Sequence, residues 1–270
     1  MGDVYDWLGF TRQAHCQYKK QQQQKAENEE AVLEHVRQIR QRHPRMGTRK
    51  LHSELLENGL QYGRDALFKL LRQHRLLLDR PRGPRTTFAG LARYPNLLEQ
   101  AEVTQPDEAW VTNITYIRSE EGFLYLALVT DLCSRKIVGY DLSRSLSADG
   151  AIRALQMAIS QTKQSLKGLI HHSDHGIQYS CREYQRVLKR HGIRCSMGAV
   201  GNCYDNAVAE RVNGILKIEY LLNLLFVSLE QAQRAVKHAV WLYNHERPHQ
   251  SLGYRKPQHV YIHRGNQTFH

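Results

Sequence analysis

Nothing in this 270-residue chain approaches a run of about 18 apolar residues, so no membrane-spanning helix is expected. The N-terminus also carries no apolar signal segment. There are only five cysteines, Cys16, Cys133, Cys181, Cys195 and Cys203, an odd number with no pair at CxxC spacing. That disfavours a disulfide framework or a cysteine zinc knuckle and points to a reducing cytoplasm. Acidic residues are scarce beside basic ones, 26 against 38, for a formal net charge of +12. Such an excess favours a polyanionic partner, nucleic acid ahead of a membrane surface; a merely basic soluble protein is the plain alternative. The imbalance is denser at the front, with 18 basic to 11 acidic residues in the first 100 and 20 to 15 in the rest. The front end is therefore the better candidate for gripping DNA. Hydrophobic residues make up 41%, enough for a core, and the length suits two domains.

Taken in order, residues 1–40 suggest a helical segment. Val4, Trp7 and Leu8 fit one short helix that Gly9 ends. The glutamine-rich run QQQQKAENEE reads as the exposed start of a second helix, because Val32, Leu33, Val36 and Ile39 continue in helical period until Pro44. Residues 41–80 read as a compact helical unit. Thr48 is placed as a cap, with Leu51, Leu55 and Leu56 on one face and Gly59 as a stop. A second helix carries Ala66, Leu67, Leu70 and Leu71 on one side and Arg64, Lys69, Arg72 and Arg75 largely elsewhere. Two short helices, the second basic, are the ingredients of a helix-turn-helix; a hairpin whose charges are only solvated has the same pattern. Residues 81–104 form a basic, proline-rich linker with Arg82 and Arg85, which can also lie along a phosphate backbone.

From Gln105 the pattern turns to strands: WVTNITYIR, FLYLALVTDL and IVGYDLS form an antiparallel meander. Helix, strand, helix, strand and two further helices follow, with Ser147 and Ser228 as caps. The order βββ-α-β-α-β-α-α over residues 105–265 implies an α/β mixed sheet with helices on its faces.

Two carboxylates stand out, Asp174 in HHSDHG and Glu210 in DNAVAERVNGILK, with 35 residues between them. Asp174 falls where a strand gives way to a turn, and Gly176 lets the backbone bend there. Helical spacing puts Asn206, Asn213, Gly214 and Lys217 on the face of Glu210, while Val208, Val212 and Ile215 point away and should bury. A carboxylate, two amides, a glycine gap and a lysine suit metal plus phosphate better than a core.

The motifs WVTNITYI, DLCSRKIVGY, HHSDHGIQY, GNCYDNAVAERVNGILKIE and WLYNHERPHQSLGYRKP, in this order and spacing, resemble the second-reading-frame transposases of bacterial insertion sequences. The catalytic core of those proteins is similar to retroviral integrase. The resemblance covers residues 105–262, and residues 45–80 resemble the small helical domain that precedes such cores. It implies a ribonuclease-H-like mixed sheet flanked by helices, preceded by a small all-α helix-turn-helix domain. It also implies metal-dependent DNA strand transfer at three acidic positions holding two Mg²⁺ (or Mn²⁺) ions. Asp174 and Glu210 match the second and third positions, and Lys217 a phosphate-contacting lysine. The first position is Asn113. Its amide is shaped like a carboxylate but is uncharged, so it bridges two cations poorly. Hence the expectation is a chain that folds and binds DNA with a crippled metal site. Asp131, at the expected end of the second strand, is a candidate substitute ligand.

The resemblance further implies an upstream-frame partner, self-association on DNA, terminal-repeat and target DNA as ligands, and no membrane. Two rivals stand beside it: a catalytically dead DNA-binding regulator of transposition, and a ribonuclease-H-like nuclease. His171, His172 and His175 suit hydrogen bonds or phosphate more than a metal cluster. Trp241, Tyr243 and Tyr254 suit core packing of the last helix more than base stacking. Arg247 either holds DNA or braces the helix that carries Glu210.

Overall fold

The computed structural model describes residues 12–78, 94–198 and 207–263. The chain divides into two compact units, Met1–Asp79 and Arg80–His270. The expected short helix around Trp7, Arg82 and Arg85 of the linker, and Asn206 lie outside the described residues.

In the first unit, α1 (Arg12–Arg42) is one 31-residue helix through the glutamine run. Its N-terminal half is almost wholly exposed. Its C-terminal half lays Val32, Leu33, Val36 and Ile39 against α2 (Thr48–Glu57) and α3 (Arg64–Gln73), where Leu51, Leu55, Leu67, Leu70 and Leu71 complete the core. Leu56 and Ala66, expected on the packed faces, are exposed. Each lies about 100° from the buried stripe of its helix. The caps are Gly47 and Gly63 in extended conformation, so Thr48 is the first residue of its helix and not its cap.

The second unit is built on a mixed sheet of β1 (Ala109–Ser119), β2 (Gly122–Asp131), β3 (Ile137–Ser143), β4 (Ile170–Ser173), β5 (Arg194–Met197) and the two-residue β6 (Leu225–Phe226). Their order is β3-β2-β1-β4-β5, with β6 also on β1. The first three strands are antiparallel; β4 and β6 run parallel to β1, and β5 parallel to β4. The observed elements follow the expected βββ-α-β-α-β-α-α order, with β6 and the short helices α5 (Ile177–Ser180) and α9 (Pro257–Ile262) added. The larger helices are α4 (Ala148–Gln161), α6 (Arg182–Arg190), α7 (Ala207–Glu219) and α8 (Leu229–His245).

Strand alternation sorts two cores to the two faces of the sheet. One joins Trp110, Ala127, Val129 and Val138 to α4 and α6. The other joins Ile117, Leu126, Leu128 and Ile137 to Val212, Ile215 and Leu216 of α7 and Val236, Val240 and Tyr243 of α8. Each fully buried large aliphatic side chain contributes about 1.5–3 kcal/mol. Gly139 sets the approach of α4, because a Cβ there would collide with the Ala154 carbonyl and Ala158. Edge strand β3 is closed by a side chain: the Asn244 amide donates to the Ile137 carbonyl and accepts from the Ile137 N–H, both at 2.9 Å. Ser228 caps α8 by accepting from the Gln231 N–H. Ser147 precedes α4 as expected, but its hydroxyl turns to the Asp149 carboxylate instead.

Candidate active site

Asn113 is half-buried in the middle of β1. It stands opposite Leu128, so it shares the sheet face on which α7 packs. On its other side β1 pairs in parallel with β4, Trp110 with His171 and Val111 with His172. That pairing ends at Val111 with His172; Asn113 and Asp174 each follow two residues later, Asn113 still within β1 and Asp174 just past the end of β4. Asp174 stays exposed at its edge, and its Oδ1 accepts from the Gly176 N–H at 3.0 Å. Crowding by protein nevertheless raises its pKa above the ordinary carboxylate value, with the Gly176 bond and His175 acting the other way. Gly176 has an ordinary φ of −57°. What it supplies is room rather than a bend, since a Cβ would sit 3.0 Å from the Asp174 Oδ1.

Glu210 is exposed on the first turns of α7. The packed stripe of that helix is Ala209, Val212, Asn213, Ile215 and Leu216. Asn213, expected beside Glu210, therefore lies in the buried stripe, and Val208, expected inside, is half-buried. Helical angles explain both: residue 213 is about 60° from the Glu210 flank, toward 209 and 216. What remains on the flank is the row Glu210, Gly214 and Lys217. A Cβ at Gly214 would meet nothing within 4 Å, so this row borders open space. Lys217 rests its ammonium 4.4 Å from the Tyr116 ring centre, and burial lowers its pKa. Tyr116 is 54% exposed and meets Phe123, 57% exposed, edge to face at 5.4 Å. Sequence reasoning did not single out this aromatic pair. Its one signal was two large aromatics at solvent-facing positions of the first hairpin.

The other candidates fall elsewhere. Asp131 is fully buried, accepting from the Asp107 N–H and from the backbone and hydroxyl of Ser134. It ties the β2–β3 turn and pairs in register with Trp110, three residues from Asn113, so it does not complete the acidic set. His171 bonds Tyr184 and His172 bonds Ser196, both at 2.8 Å and fully buried. Arg247, a candidate DNA contact from the sequence, is 2% exposed and grips Glu219 with two bonds, 2.8 and 3.0 Å. It braces the end of α7 because a buried guanidinium requires a carboxylate partner. Trp241 was expected in the core but is 49% exposed, whereas Tyr243 is buried as expected. Arg64, Lys69 and Arg72 are exposed on α3.

Among the described residues no group of three or more His, Cys, Asp and Glu side chains is placed to hold a metal ion. Two carboxylates and one neutral amide oxygen are a poor donor set for a pair of divalent cations.

Family models described as "Integrase core domain" match residues 103–203 and 191–257, and one described as "HTH-like domain" matches residues 27–84. The chain is 38% identical over 216 residues to the insertion element IS600 uncharacterized 31 kDa protein of Shigella sonnei, covering 78% of this chain and 79% of that protein. It is 37% identical over 219 residues to transposase InsF for insertion sequence IS3A of Escherichia coli (strain K12), covering 79% and 76%. Among solved structures, a chain of the simian T-cell lymphotropic virus intasome in complex with PP2A regulatory subunit B56 gamma shares the fold. Its TM-score is 0.53 at 17% identity, over 83% of this chain and 74% of that one.

Proposed function

This chain belongs to the insertion-sequence transposases with an integrase core, and on that premise we propose that it binds element-end DNA for strand transfer. The observation that supports the reading is that Asn113 and Asp174 each follow the last β1–β4 pair by two residues, while the helix that bears Glu210 packs on the sheet face that position 113 shares. In the proposed division of labour, residues 1–40 form an N-terminal helical segment. Residues 41–80 bind DNA through Arg64, Lys69 and Arg72, residues 81–104 link through Arg82 and Arg85, and residues 105–265 carry the chemistry. Lys217 takes a phosphate beside the reacting strand. DNA ends, target DNA, a second copy of the chain and the product of an upstream frame are the proposed partners, met in the bacterial cytoplasm.

Mg²⁺ or Mn²⁺, two ions in an intact site, is the cofactor class that an aspartate at 113 would call for. With the amide the donor set is incomplete, so this chain joins DNA ends slowly or not at all. That observation favours a second reading, a DNA-binding regulator of transposition without catalysis; a ribonuclease-H-like nuclease is the weaker rival. The test is strand transfer of a pre-cut element end in Mg²⁺ or Mn²⁺, comparing the chain with Asn113→Asp, with DNA binding measured for both. Joining by Asn113→Asp alone, at equal binding, is the expected result. Full activity of the unaltered chain would overturn the assignment of position 113. Binding without joining by either would support the regulator.

A further inference from the structure

A cavity of about 620 Å³ opens between the outer face of α8 and edge strand β3. That strand is two places from β1 in the sheet, and neither Asn113, Asp174 nor Glu210 lines the cavity. Lys136, Arg234, Lys237, His238, Trp241 and His245 do, and among its described lining residues there is no carboxylate. The last five follow one another at helical spacing and are all exposed. Together they form one stripe opposite the buried side of α8, which carries Val236, Val240 and Tyr243. Trp241 stacks one face on His245, with centroids 5.0 Å apart and planes at 16°. At the floor the Lys136 ammonium sits 3.9 Å over the Tyr261 ring. At the helix start Glu230 lies within the electrostatic reach of Arg234.

Like charges in a row along a helix repel one another unless a polyanion lies on them. From Arg234 to His245 the stripe runs about 16 Å. That is long enough to follow several phosphates of one strand, spaced roughly 3.4 Å along a duplex axis. A large exposed aromatic within a basic stripe is the composition that nucleic-acid surfaces use. A second copy of this chain fits less well, because a two-fold interface centred on the stripe would set cations against cations.

We propose that the α8–β3 groove is a second DNA-contact surface of the core unit. Arg234 and Lys237 take phosphates of duplex DNA away from the reacting strand, and Trp241 lies against the sugars. The inference borrows from the strand-transfer reading only the identity of the polyanion. Its test needs no catalysis: the Kd of the full chain for a random duplex is measured across a KCl series. Each phosphate contact contributes about 0.9 to the slope of log K against log salt. Arg234→Gln with Lys237→Gln should therefore lower the slope by about 1.8, and Trp241→Leu should weaken binding at an unchanged slope. Arg72→Gln on α3 serves as the comparison, expected to lose about 0.9. An unchanged slope in the double variant, with Arg72→Gln behaving as expected, would overturn the inference. A double variant that changes sedimentation but not slope would do the same, by making the groove a contact between copies. All the substituted groove residues are exposed, so unchanged far-UV circular dichroism is expected. Failure of strand transfer would leave these slopes readable and would count against the catalytic reading alone.

Discussion

Replacing Arg247 with alanine tests whether a charge pair or the apolar stripe holds α7 in place. The guanidinium is 2% exposed and the Glu219 side chain 16%. Breaking a buried pair by removing one partner costs about 3–5 kcal/mol, because a charge is left in low dielectric. Some water reaches Glu219, which places the loss near the lower end, about 3 kcal/mol. The guanidinium also lies 5.6 Å from the Tyr243 ring centre, worth a further ~0.5–1 kcal/mol. The assay is urea unfolding followed by the emission of Trp110, buried in the sheet core, in a Trp7→Phe, Trp241→Phe background. A double-mutant cycle with Glu219→Ala should give a coupling of about 2 kcal/mol or more, and Arg247→Met with Glu219→Leu should recover most of the lost stability. DNA binding through the first unit should not change. A loss below about 1 kcal/mol would refute the bracing role. So would an Arg247→Ala protein of normal stability whose DNA affinity has become less salt-dependent, since the arginine would then be meeting phosphate.

Two buried groups give opposed pH dependences. Burial, with the neighbouring His172, pushes His171 down to about 3 from 6.5. The unfolded chain therefore binds the extra proton, and stability falls as the pH drops from about 6.5 towards 3. Burial pushes Asp131 up to about 6 from 3.8, against the hydrogen bonds of Ser134 and Asp107. Here the folded chain binds the extra proton, and stability falls as the pH rises from about 4 to about 6. Between about pH 4 and 6 the two trends oppose each other, so urea midpoints of His171→Phe over that range should show the Asp131 trend unmasked, with stability rising in acid; a variant that loses stability in acid there would contradict it. Asp131→Asn should cost about 1–3 kcal/mol, because its new NH₂ opposes a backbone N–H donor; a thermal melt reads it. Gly139→Ala should lower the melting temperature by a comparable amount through collision with α4, and an unchanged melt would show that the helix can retreat. Tyr116→Leu should lower the Lys217 pKa further, because it removes the ring that favours the ammonium and leaves apolar cover in its place, read by NMR titration of the ammonium; no change would mean that the ring contributes nothing to that environment.

Much of this was legible along the chain because it depends on local periodicity. The alternation of WVTNITYIR and the apolar run FLYLALVTDL made strands, and the leucine spacing of α2 and α3 made their shared core. The motif spacing around Asp174 and Glu210 identified the family, and the odd amide at 113 was visible at once. Other features depended on partners distant in sequence. Arg247 found its observed partner in Glu219, 28 residues away, whose carboxylate meets the guanidinium only after α7 and α8 pack on one sheet face. Asp131 read as a spare ligand until the turn folded Ser134 and Asp107 onto it. Trp241 read as core because its helix is amphipathic. The tertiary fold turned the opposite stripe inward and left the ring over a basic groove. Sequence by itself determined the element order and the chemical character of positions 113, 174 and 210, since those follow from covalent spacing and side-chain type. Only the tertiary structure decided which charges are buried in pairs and which face open space, because desolvation is set by neighbours that the chain brings together on folding.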